Sequence, residues 1–299
     1  MRIISWNVNG IRATEKKWEI QNLIEKYDPD IFFMQEIKAK PDQLSEYLLH
    51  PPGYRAHYNP AEKPGYAGTG VWIHDRVREI ADVRFIDSFP WDPTADEGRV
   101  AHVELVVTSD KWQVKSLTAR HSELAKNPEK KNGSFILQDD EIRIIDIFCI
   151  YFPNGGKSEE AWQGKLVFYR EFARYMDELR SQWHDVLWWW DLNCAHHEID
   201  LARPKANEWK IGFHPLERAW LDGRVRDGWY DIYRSKYPEA RDVYSWWDVI
   251  TRSRATNVGW RIDAWWGSEW VYANTRNIEY LPNHMWSDHC PILVDIEME

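Results

Sequence analysis

The stretches Ser287-Asp288-His289-Cys290-Pro291 and Ser5-Trp6-Asn7-Val8-Asn9-Gly10 stand near the two ends of the chain, and together they decide the fold. Each adjoins a short apolar run that is typical of a buried β-strand. Two further runs end in the same way, at Phe33-Met34-Gln35-Glu36 and at Asp191-Leu192-Asn193. These strand ends offer carboxylate, amide or imidazole groups, which predicts one oxygen-rich site that binds a hard cation and handles a phosphate.

The spacing of the apolar residues predicts strands that alternate with helices. Helices are predicted at 15–27, 158–182 and 215–225, the second on apolar residues that recur every three or four positions. Strands are predicted at 2–6, 31–35, 54–58, 70–74, 80–85, 100–107, 142–151, 186–190, 260–266 and 292–297. Several consecutive strands in each half predict an α/β fold of two packed sheets with helices outside.

Length and composition fit one large α/β unit. The chain has 299 residues, of which 43% are hydrophobic and 29% are charged, so a single domain over 1–299 is expected. The polar, turn-rich segment 108–141 stands apart, and we interpret it as an exposed excursion between two strands. Contact of its lysines with a substrate backbone is the alternative.

The sequence predicts a cytoplasmic protein. It has no run of about 18 apolar residues that would span a membrane, and its N-terminus continues directly into a strand rather than a signal peptide. The cysteines Cys149, Cys194 and Cys290 lack zinc-type spacing, so we expect reduced, buried thiols.

The net charge of −10 argues against a generic nucleic-acid binder, which usually carries a basic face. A metal-dependent nuclease is not excluded by this charge. The cation neutralises the carboxylates of such a site, and a local basic rim can still hold phosphates.

Acidic and amide side chains at two strand ends suit metal binding and water activation. Mg²⁺ prefers carboxylate and amide oxygens with retained water, and Glu36 directly follows an apolar strand; a surface glutamate is the alternative. Asp191 and Asn193 lie on one face of an extended segment, where an acid can take a proton from a water that the amide holds. An Asx turn is the alternative for this pair.

Two further strand ends carry groups that suit a phosphate. His289, beside Asp288, would become an oriented donor to a phosphate oxygen if a second carboxylate fixed its ring; a structural histidine is the alternative. Tyr151 and Asn154 stand where Pro and Gly turn the chain sharply at a strand end, and α/β proteins bind ligands at such places.

In these segments the chain resembles the exonuclease III family of apurinic/apyrimidinic endonucleases, within the endonuclease/exonuclease/phosphatase superfamily. The resemblance covers residues 1 to about 297, except 108–141. Nine motifs in one order carry it, at 3–13, 35–39, 65–68, 97–100, 151–155, 191–196, 198–201, 257–263 and 287–291.

The resemblance implies a four-layer α/β sandwich, in which two packed mixed β-sheets are flanked by helices in the DNase I-like arrangement. It implies a metal-dependent phosphodiester hydrolase with Mg²⁺, or Mn²⁺ as an alternative, as cofactor. Such an enzyme cleaves the phosphodiester 5′ to abasic sites, often with 3′→5′ exonuclease or 3′-phosphatase activity. The implied partner is double-stranded DNA with abasic sites or 3′ ends, bound by a monomer.

Roles near the metal carry over by motif. Glu36 would ligate the metal, with Asn7 nearby. Asp191 would activate the attacking water, and Asn193 would position it.

Roles at the phosphate carry over in the same way. His289, oriented by Asp263, would contact the scissile phosphate, and Asp288 would assist at the metal or the leaving group. Tyr151 and Asn154 would stabilise the charge that develops on the phosphate.

Substrate-binding positions are implied as well. Arg12, Lys38 and Tyr66 match family positions near the DNA backbone. Trp246 and Trp260 match the aromatic walls of the pocket for the extruded sugar, and extrusion costs least where no base is paired. Plain core packing is the alternative for both tryptophans.

The tryptophan and glycine contents depart from the family pattern. The chain has 20 Trp and 15 Gly, whereas ordinary usage gives about 21 Gly. Trp190 and Trp286 stand where the family has glycine before Asp-Leu-Asn and Ser-Asp-His. Trp18, Trp183 and Trp209 stand where relatives commonly have glycine or a small polar residue.

One hypothesis explains the surplus of tryptophan and the shortage of glycine together. TGA codons that the source organism reads as glycine would be written as tryptophan if they were translated with a code in which TGA means Trp. A degenerate paralogue and deliberate engineering are the alternatives. An indole in place of a hydrogen atom would cost about 1–3 kcal/mol in overpacking, with added strain wherever φ is positive.

Two other functions stay open. A site blocked by Trp190 and Trp286 would leave a non-catalytic DNA-binding paralogue. Another phosphodiesterase of the superfamily would act on small phosphodiesters or lipid headgroups. The presence of every polar site residue favours catalysis, because buried polar groups are costly to keep together.

Overall fold

The computed structural model describes residues 1–108 and 142–298. Apart from Thr108, which ends a strand, the predicted excursion at 108–141 lies outside the described residues. Its interpretation, and that of 1–299 as one domain, therefore stay predictions.

The described residues form strands and helices that alternate along much of the chain. The strands are β1 (Arg2–Asn7), β2 (Ile31–Gln35), β3 (Tyr54–Asn59), β4 (Thr69–His74), β5 (Ala81–Ile86), β6 (Val100–Thr108), β7 (Ile142–Tyr151), β8 (Asp185–Asp191), β9 (Tyr230–Asp231), β10 (Asp263–Gly267), β11 (Thr275–Tyr280) and β12 (Ile292–Ile296). The helices are α1 (Ile11–Glu15), α2 (Glu19–Tyr27), α3 (Glu46–Leu49), α4 (Glu159–Ser181), α5 (Pro204–Asn207), α6 (Pro215–Arg226), α7 (Ile232–Lys236) and α8 (Glu269–Asn274).

The strands form two mixed sheets of six strands each, in the orders β11-β12-β1-β2-β4-β3 and β5-β6-β7-β8-β10-β9. Each sheet has one parallel pair, β1 with β2 and β7 with β8, among antiparallel neighbours. The carboxyl ends of a parallel pair lie at one edge of its sheet. In the second sheet Tyr151 thus pairs with Asp191, and Asp263, which begins the antiparallel β10, pairs with Asp191 from the other side.

Apolar side chains fill three layers between and outside the sheets. Ile3, Phe33, Ile147 and Trp265 belong to the core between the two sheets. A second cluster lies between the second sheet and α4, with Phe148, Phe172, Trp188 and Trp266 among its members, and a third lies between the first sheet and α2, with Trp6, Leu23 and Phe32. The predicted fold class, two packed mixed sheets flanked by helices, is confirmed.

Two predicted elements differ in the structure. The helix predicted at 15–27 is broken, because Trp18 has a left-handed backbone (φ 61°) between α1 and α2. The strand predicted at 260–266 begins only at Asp263, and Trp260 forms isolated bridges to Trp246 and Leu201 instead.

Among the described residues, four tryptophans have left-handed backbone conformations: Trp18, Trp91, Trp183 and Trp209, with φ of 61°, 67°, 67° and 70°. Their side chains are 68%, 50%, 67% and 68% exposed. Bulky residues rarely adopt this conformation, whereas glycine does so without strain. At three of these positions, Trp18, Trp183 and Trp209, the family resemblance suggested glycine or a small polar residue. The backbone geometry therefore supports the hypothesis that glycine codons were read as tryptophan.

Tryptophans inside the fold carry a different cost. The indole N–H groups of Trp188, Trp189, Trp190, Trp220 and Trp266 are enclosed and have no hydrogen-bond partner among the described residues. A buried donor without a partner costs about 1–3 kcal/mol. The tryptophan surplus therefore costs stability at the surface and in the interior alike.

Candidate active site

Both sheets bring polar side chains to one shared edge. Asn7 ends β1, Asp191 ends β8 and Asp263 begins β10, while Glu36 follows β2 and His289 precedes β12. All except Glu36 are buried, and the Glu36 side chain is 13% exposed. The topology thus places together five residues that the sequence separates by up to 282 positions.

The Asn7 side chain connects the two sheets at this edge. Its Nδ2 donates to Glu36 Oε1 at 2.8 Å and to Asp191 Oδ2 at 2.9 Å. The backbone of Glu36 is left-handed (φ 49°), which turns the chain out of β2. The Lys38 ammonium lies 2.7 Å from Glu36 Oε2, so it partly balances that carboxylate.

Asp191 is fully enclosed at the end of β8. Its Oδ1 accepts a hydrogen bond from the backbone N–H of Asn193 at 3.0 Å. Burial and the nearby charge of Asp263 raise the pKa of Asp191 above its ordinary value. A carboxylate in this condition is a stronger proton acceptor than a solvated aspartate.

His289 is held between two carboxylates. Its Nδ1 donates to Asp263 Oδ2 at 2.9 Å, and its Nε2 lies 3.8 Å from Asp191 Oδ2. Burial opposes a charge on the ring, but the charges of Asp263 and Asp191 outweigh it and raise the pKa of His289. With Nδ1 committed to Asp263, the Nε2–H is the group that faces the site.

The donor atoms in this cluster are close enough to share a cation. Glu36, Asp191 and His289 each offer an oxygen or nitrogen, and these atoms lie within 4.8 Å of one another. Oδ1 of Asp263 is buried without a partner among the described residues. A site of carboxylate and amide oxygens fits a hard divalent cation.

Asp288 lies beside the cluster rather than within it. Its Oδ2 accepts from Trp246 Nε1 at 3.0 Å, and its Oδ1 accepts from Asn9 Nδ2 at 2.8 Å. Burial opposes ionisation, but the charge of His289 and these two hydrogen bonds hold the pKa of Asp288 below its ordinary value. Asp288 is therefore an ionised group that shapes the rim of the site.

Tyr151, at the end of β7, shares an arginine with Tyr66. The Arg99 guanidinium lies 4.7 Å from the Tyr151 ring centre and donates to the Tyr151 carbonyl at 3.0 Å and to the Tyr66 hydroxyl at 2.8 Å. Burial, with the charges of Glu36 and Asp191, raises the pKa of Tyr151 well above its usual value. The Tyr151 hydroxyl thus stays protonated and can donate.

Asn154 and Asn193 are joined to each other and to a buried lysine. Asn154 Nδ2 donates to Asn193 Oδ1 at 2.8 Å. The Lys165 ammonium, 2.5 Å from Glu217, also donates to the backbone carbonyls of Asn154 (3.4 Å) and Asn193 (3.2 Å). Both ion-pair side chains are fully enclosed, so this pair fixes the two loops that present the asparagines.

Sequence reasoning missed Lys165, Glu217 and Arg99 as parts of this region. Lys165 stands in the middle of the helical pattern at 158–182, where an isolated lysine is ordinarily a surface residue. Arg99 does belong to a family motif, at 97–100, and that motif was the available signal.

The remaining predicted substrate-binding residues lie around the cluster. Trp246 pairs through its backbone with both Trp260 and His289, and the Trp246 and Trp260 rings meet edge to face at 6.5 Å. Both are half-buried, which suits pocket walls better than a closed core. Arg12 is exposed on α1, which follows the loop after Asn7.

The two tryptophans that would block the site in the alternative of a non-catalytic paralogue lie elsewhere. Trp190 packs with Trp188 and Phe152 in the layer beneath α4, on the opposite face of β8 from Asp191. The Trp286 side chain is 54% exposed, with the Lys17 ammonium 4.4 Å from its ring centre. The geometry therefore contradicts a site closed by these indoles.

Residues 4–289 match the Endonuclease/Exonuclease/phosphatase family, and the chain belongs to this family of phosphoester-cleaving enzymes. The exodeoxyribonuclease of Bacillus subtilis (strain 168) is 29% identical over 292 residues, 98% of each chain. The DNA repair nuclease APEX1 of Danio rerio is 28% identical over 296 residues, 98% of this chain and 81% of that protein. The predicted relationship to exodeoxyribonucleases and apurinic/apyrimidinic endonucleases is confirmed, as is the prediction of a nuclease-type hydrolase.

Solved structures share the fold. The AP endonuclease LMAP from Leishmania major has a TM-score of 0.77 at 24% identity, covering 100% of this chain and 88% of that one. The 3′ phosphatase NExo from Neisseria, bound to a product DNA hairpin, has a TM-score of 0.75 at 21% identity over 99% of each chain. Within 1–108 and 142–298, no helix is long and apolar enough to cross a membrane.

Proposed function

We propose that this protein is a Mg²⁺-dependent DNA repair nuclease that cleaves the phosphodiester 5′ to abasic sites in duplex DNA. A 3′→5′ exonuclease or 3′-phosphatase activity would accompany the incision. The observation that carries the proposal is the Asn7 side chain, which bonds Glu36 of one sheet and Asp191 of the other within 2.9 Å. The names of the relatives, an exodeoxyribonuclease and a DNA repair nuclease, support the same activity.

Glu36 would hold the cation, with Asn7 and Asp288 beside it. Their donor atoms are mainly oxygens, which suits Mg²⁺ or Mn²⁺, and the family is metal-dependent. When bound, the cation would offset the negative charge of the carboxylates and polarise a phosphate oxygen.

Two residues of the chain act on the attacking water, one as proton acceptor and the other as its hydrogen-bond partner. Asp191, whose pKa is raised by burial and by Asp263, accepts the proton of the attacking water. Asn193 holds that water, and its own position is fixed by Asn154 at 2.8 Å. Because the water must attack in line with the leaving oxygen, its orientation lowers the activation barrier in addition to the proton transfer.

Donors on the other side of the site stabilise the phosphate. His289, fixed at Nδ1 by Asp263, donates from Nε2 to a phosphate oxygen, and Tyr151 donates from its hydroxyl. Such pre-placed donors act where charge builds up in the transition state. Asp288 orients Trp246 and assists at the leaving group.

Duplex DNA would lie across the rim of the cluster. Lys38, Arg12 and Tyr66 would contact the backbone, which explains how a chain of net charge −10 can bind a polyanion at one place. Trp246 and Trp260 would enclose the extruded sugar. The protein would act as a monomer in the cytoplasm, consistent with three buried free cysteines.

The test uses an end-labelled duplex with one tetrahydrofuran abasic analogue, incubated with Mg²⁺ or with EDTA. We expect incision directly 5′ to the lesion with Mg²⁺ and none with EDTA. An undamaged duplex and bis-p-nitrophenyl phosphate serve as competing substrates. Turnover of the small diester alone would favour the other phosphodiesterase, and tight binding without incision would favour the non-catalytic paralogue.

A further inference from the structure

A second group of acidic and imidazole side chains lies on the second sheet, away from the strand ends. Glu104 of β6 and Asp146 of β7 are directly paired in the antiparallel ladder, and His184 immediately precedes β8. Their oxygen and nitrogen donors lie within 4.8 Å of one another. Asp146 is five residues before Tyr151, about 17 Å along the strand, so this group is separate from the candidate active site.

Asp146 is held by two imidazoles. His102 Nε2 donates to its Oδ1 at 2.5 Å, and His184 Nδ1 donates to its Oδ2 at 2.6 Å. The Asp146 side chain is 0% exposed, and those of His102 and His184 are 1% and 6% exposed. The α4 residue Tyr175 covers the group, with its ring centre 6.4 Å from that of His102.

Two features make this group unusual for a purely structural network. Glu104 and Asp146 are like charges at paired positions, an arrangement that destabilises a sheet unless a cation offsets it. Arg84 donates to Glu104 Oε1 at 3.0 Å, but its side chain is 58% exposed, so its charge is screened by water. His102 Nδ1 is also enclosed without a hydrogen-bond partner among the described residues.

We propose that Glu104, Asp146 and His184 form a binding site for a divalent cation of the zinc type. Two carboxylates and one imidazole are an ordinary ligand set for Zn²⁺. His102 would remain on Asp146 as the outer hydrogen-bond partner that orients the ligating carboxylate. Tetrahedral zinc separates its N and O ligands by about 3.3 Å. Zinc would replace the proton that His184 Nδ1 shares with Asp146 Oδ2, releasing it to solvent and widening that 2.6 Å contact. The other donors, all within 4.8 Å of one another, would move closer.

The imidazole of His184 decides which cation the group selects. Mg²⁺ keeps several waters and prefers an all-oxygen environment. A nitrogen ligand favours Zn²⁺ instead.

The experiment measures zinc binding by the full chain in the Glu36→Gln/Asp191→Asn background, which removes two carboxylates of the candidate active site that could also bind zinc. Zn²⁺ is titrated into chelator-treated protein against a chromophoric competitor, with excess Mg²⁺ present. We expect one equivalent bound with a Kd below about 1 μM, and a zinc-dependent rise in Tm. Absence of bound zinc in this background would overturn the proposal.

Glu104→Gln is the diagnostic variant, because this side chain is only partly buried and the variant keeps both imidazoles. It should weaken zinc binding about 100-fold or more. Glu171→Gln is the matched control: its side chain is 16% exposed, against 15% for Glu104, and it also faces an arginine. Equal zinc affinity of the two variants would assign the bound zinc to another place and overturn the site. The result does not depend on whether the protein cleaves DNA.

Discussion

The two acid–histidine clusters stand at opposite ends of β8, and they hold similar residues in different ways. At the Asp191 end an amide, Asn7, bonds both carboxylates, and the histidine is turned towards a third one, Asp263. At the His184 end one carboxylate, Asp146, accepts hydrogen bonds from the imidazoles of both His102 and His184. The first arrangement leaves carboxylate oxygens directed at a shared space, whereas the second surrounds a single carboxylate with nitrogen donors.

This difference teaches that closeness of acidic groups does not by itself define a site's chemistry. The partners of each carboxylate decide which of its lone pairs remain free, and the free donors decide which cation fits. The strand-end cluster suits a hard, hydrated cation that can meet substrate. The cluster at the His184 end suits a cation of intermediate hardness such as Zn²⁺.

The largest expected effect comes from a variant that disrupts the strand-end cluster. Asp191→Asn should lower kcat on the abasic duplex by about 10³- to 10⁴-fold, because it removes the proton acceptor. The measurement is single-turnover incision at saturating enzyme. Asp185→Asn, at the first position of the same strand, is the control and should keep activity within a few-fold of the parent. Equal loss in both variants would mean that damage to β8, rather than lost chemistry, explains the effect.

The next effect concerns the ion pair behind the strand-end cluster. Lys165→Met leaves the Glu217 charge buried without its partner, and this should lower the free energy of unfolding by about 3–5 kcal/mol. Urea unfolding measures that loss. The double variant Lys165→Met/Glu217→Gln removes both charges and should recover part of the stability.

The same pair of variants separates stability from positioning. Lys165 donates to the carbonyls of Asn154 and Asn193, so kcat should stay low in the double variant even where stability returns. Recovery of kcat together with stability would contradict a positioning role for Lys165.

A third histidine–carboxylate contact extends the comparison to pH. Burial lowers the pKa of His196 to about 4, although Asp222 accepts from its ring at 2.9 Å. The unfolded chain binds this proton near pH 6.5, the folded chain only near pH 4. Unfolding free energy should therefore fall as the pH drops through this window, by up to about 3 kcal/mol from this group.

Urea unfolding at pH 7, 5.5 and 4.5 measures this dependence. His196→Gln should flatten the curve, whereas the control His50→Gln, whose side chain is 77% exposed, should not change it. If the unfolding free energy of His196→Gln kept the parental dependence on pH, a group other than His196 would be the one that binds a proton on unfolding.

The sequence predicted the strand-end cluster more completely than the enclosed one. Each residue of the first lies at the end or the beginning of a strand or just beyond it, within a short motif whose polar members break an apolar run. Glu104 and Asp146 lie inside strands, where alternation predicts only which face each side chain occupies. Lys165 was missed for a similar reason, since a helical pattern gives no signal that one lysine is enclosed.

Conformation at single residues was the least predictable feature. The family pattern suggested glycine or a small polar residue at Trp18, Trp183 and Trp209, but it gave no indication for Trp91, which shares their left-handed backbone. Conversely, an indole at Trp190 that obstructs catalysis was one of the alternatives that the sequence left open. Side-chain alternation along β8 places it on the far face, which required the register of the strand to be known.

The smallest expected effect compares one tryptophan beside each cluster. Trp183 precedes His184 and has a left-handed backbone at the end of α4, where His184 N donates to Leu179 O at 3.2 Å in the manner of a glycine-terminated helix. Trp183→Gly should raise the free energy of unfolding by about 1 kcal/mol, because it relieves that conformation.

Trp286, near His289, is also exposed, but its φ is not positive. Trp286→Gly should therefore give no gain, and an equal gain at both positions would indicate a general benefit of removing exposed indoles. A gain at Trp183 alone, together with glycine at 183 in peptide mass spectra of the native protein, would trace the strained tryptophans to the reading of TGA codons.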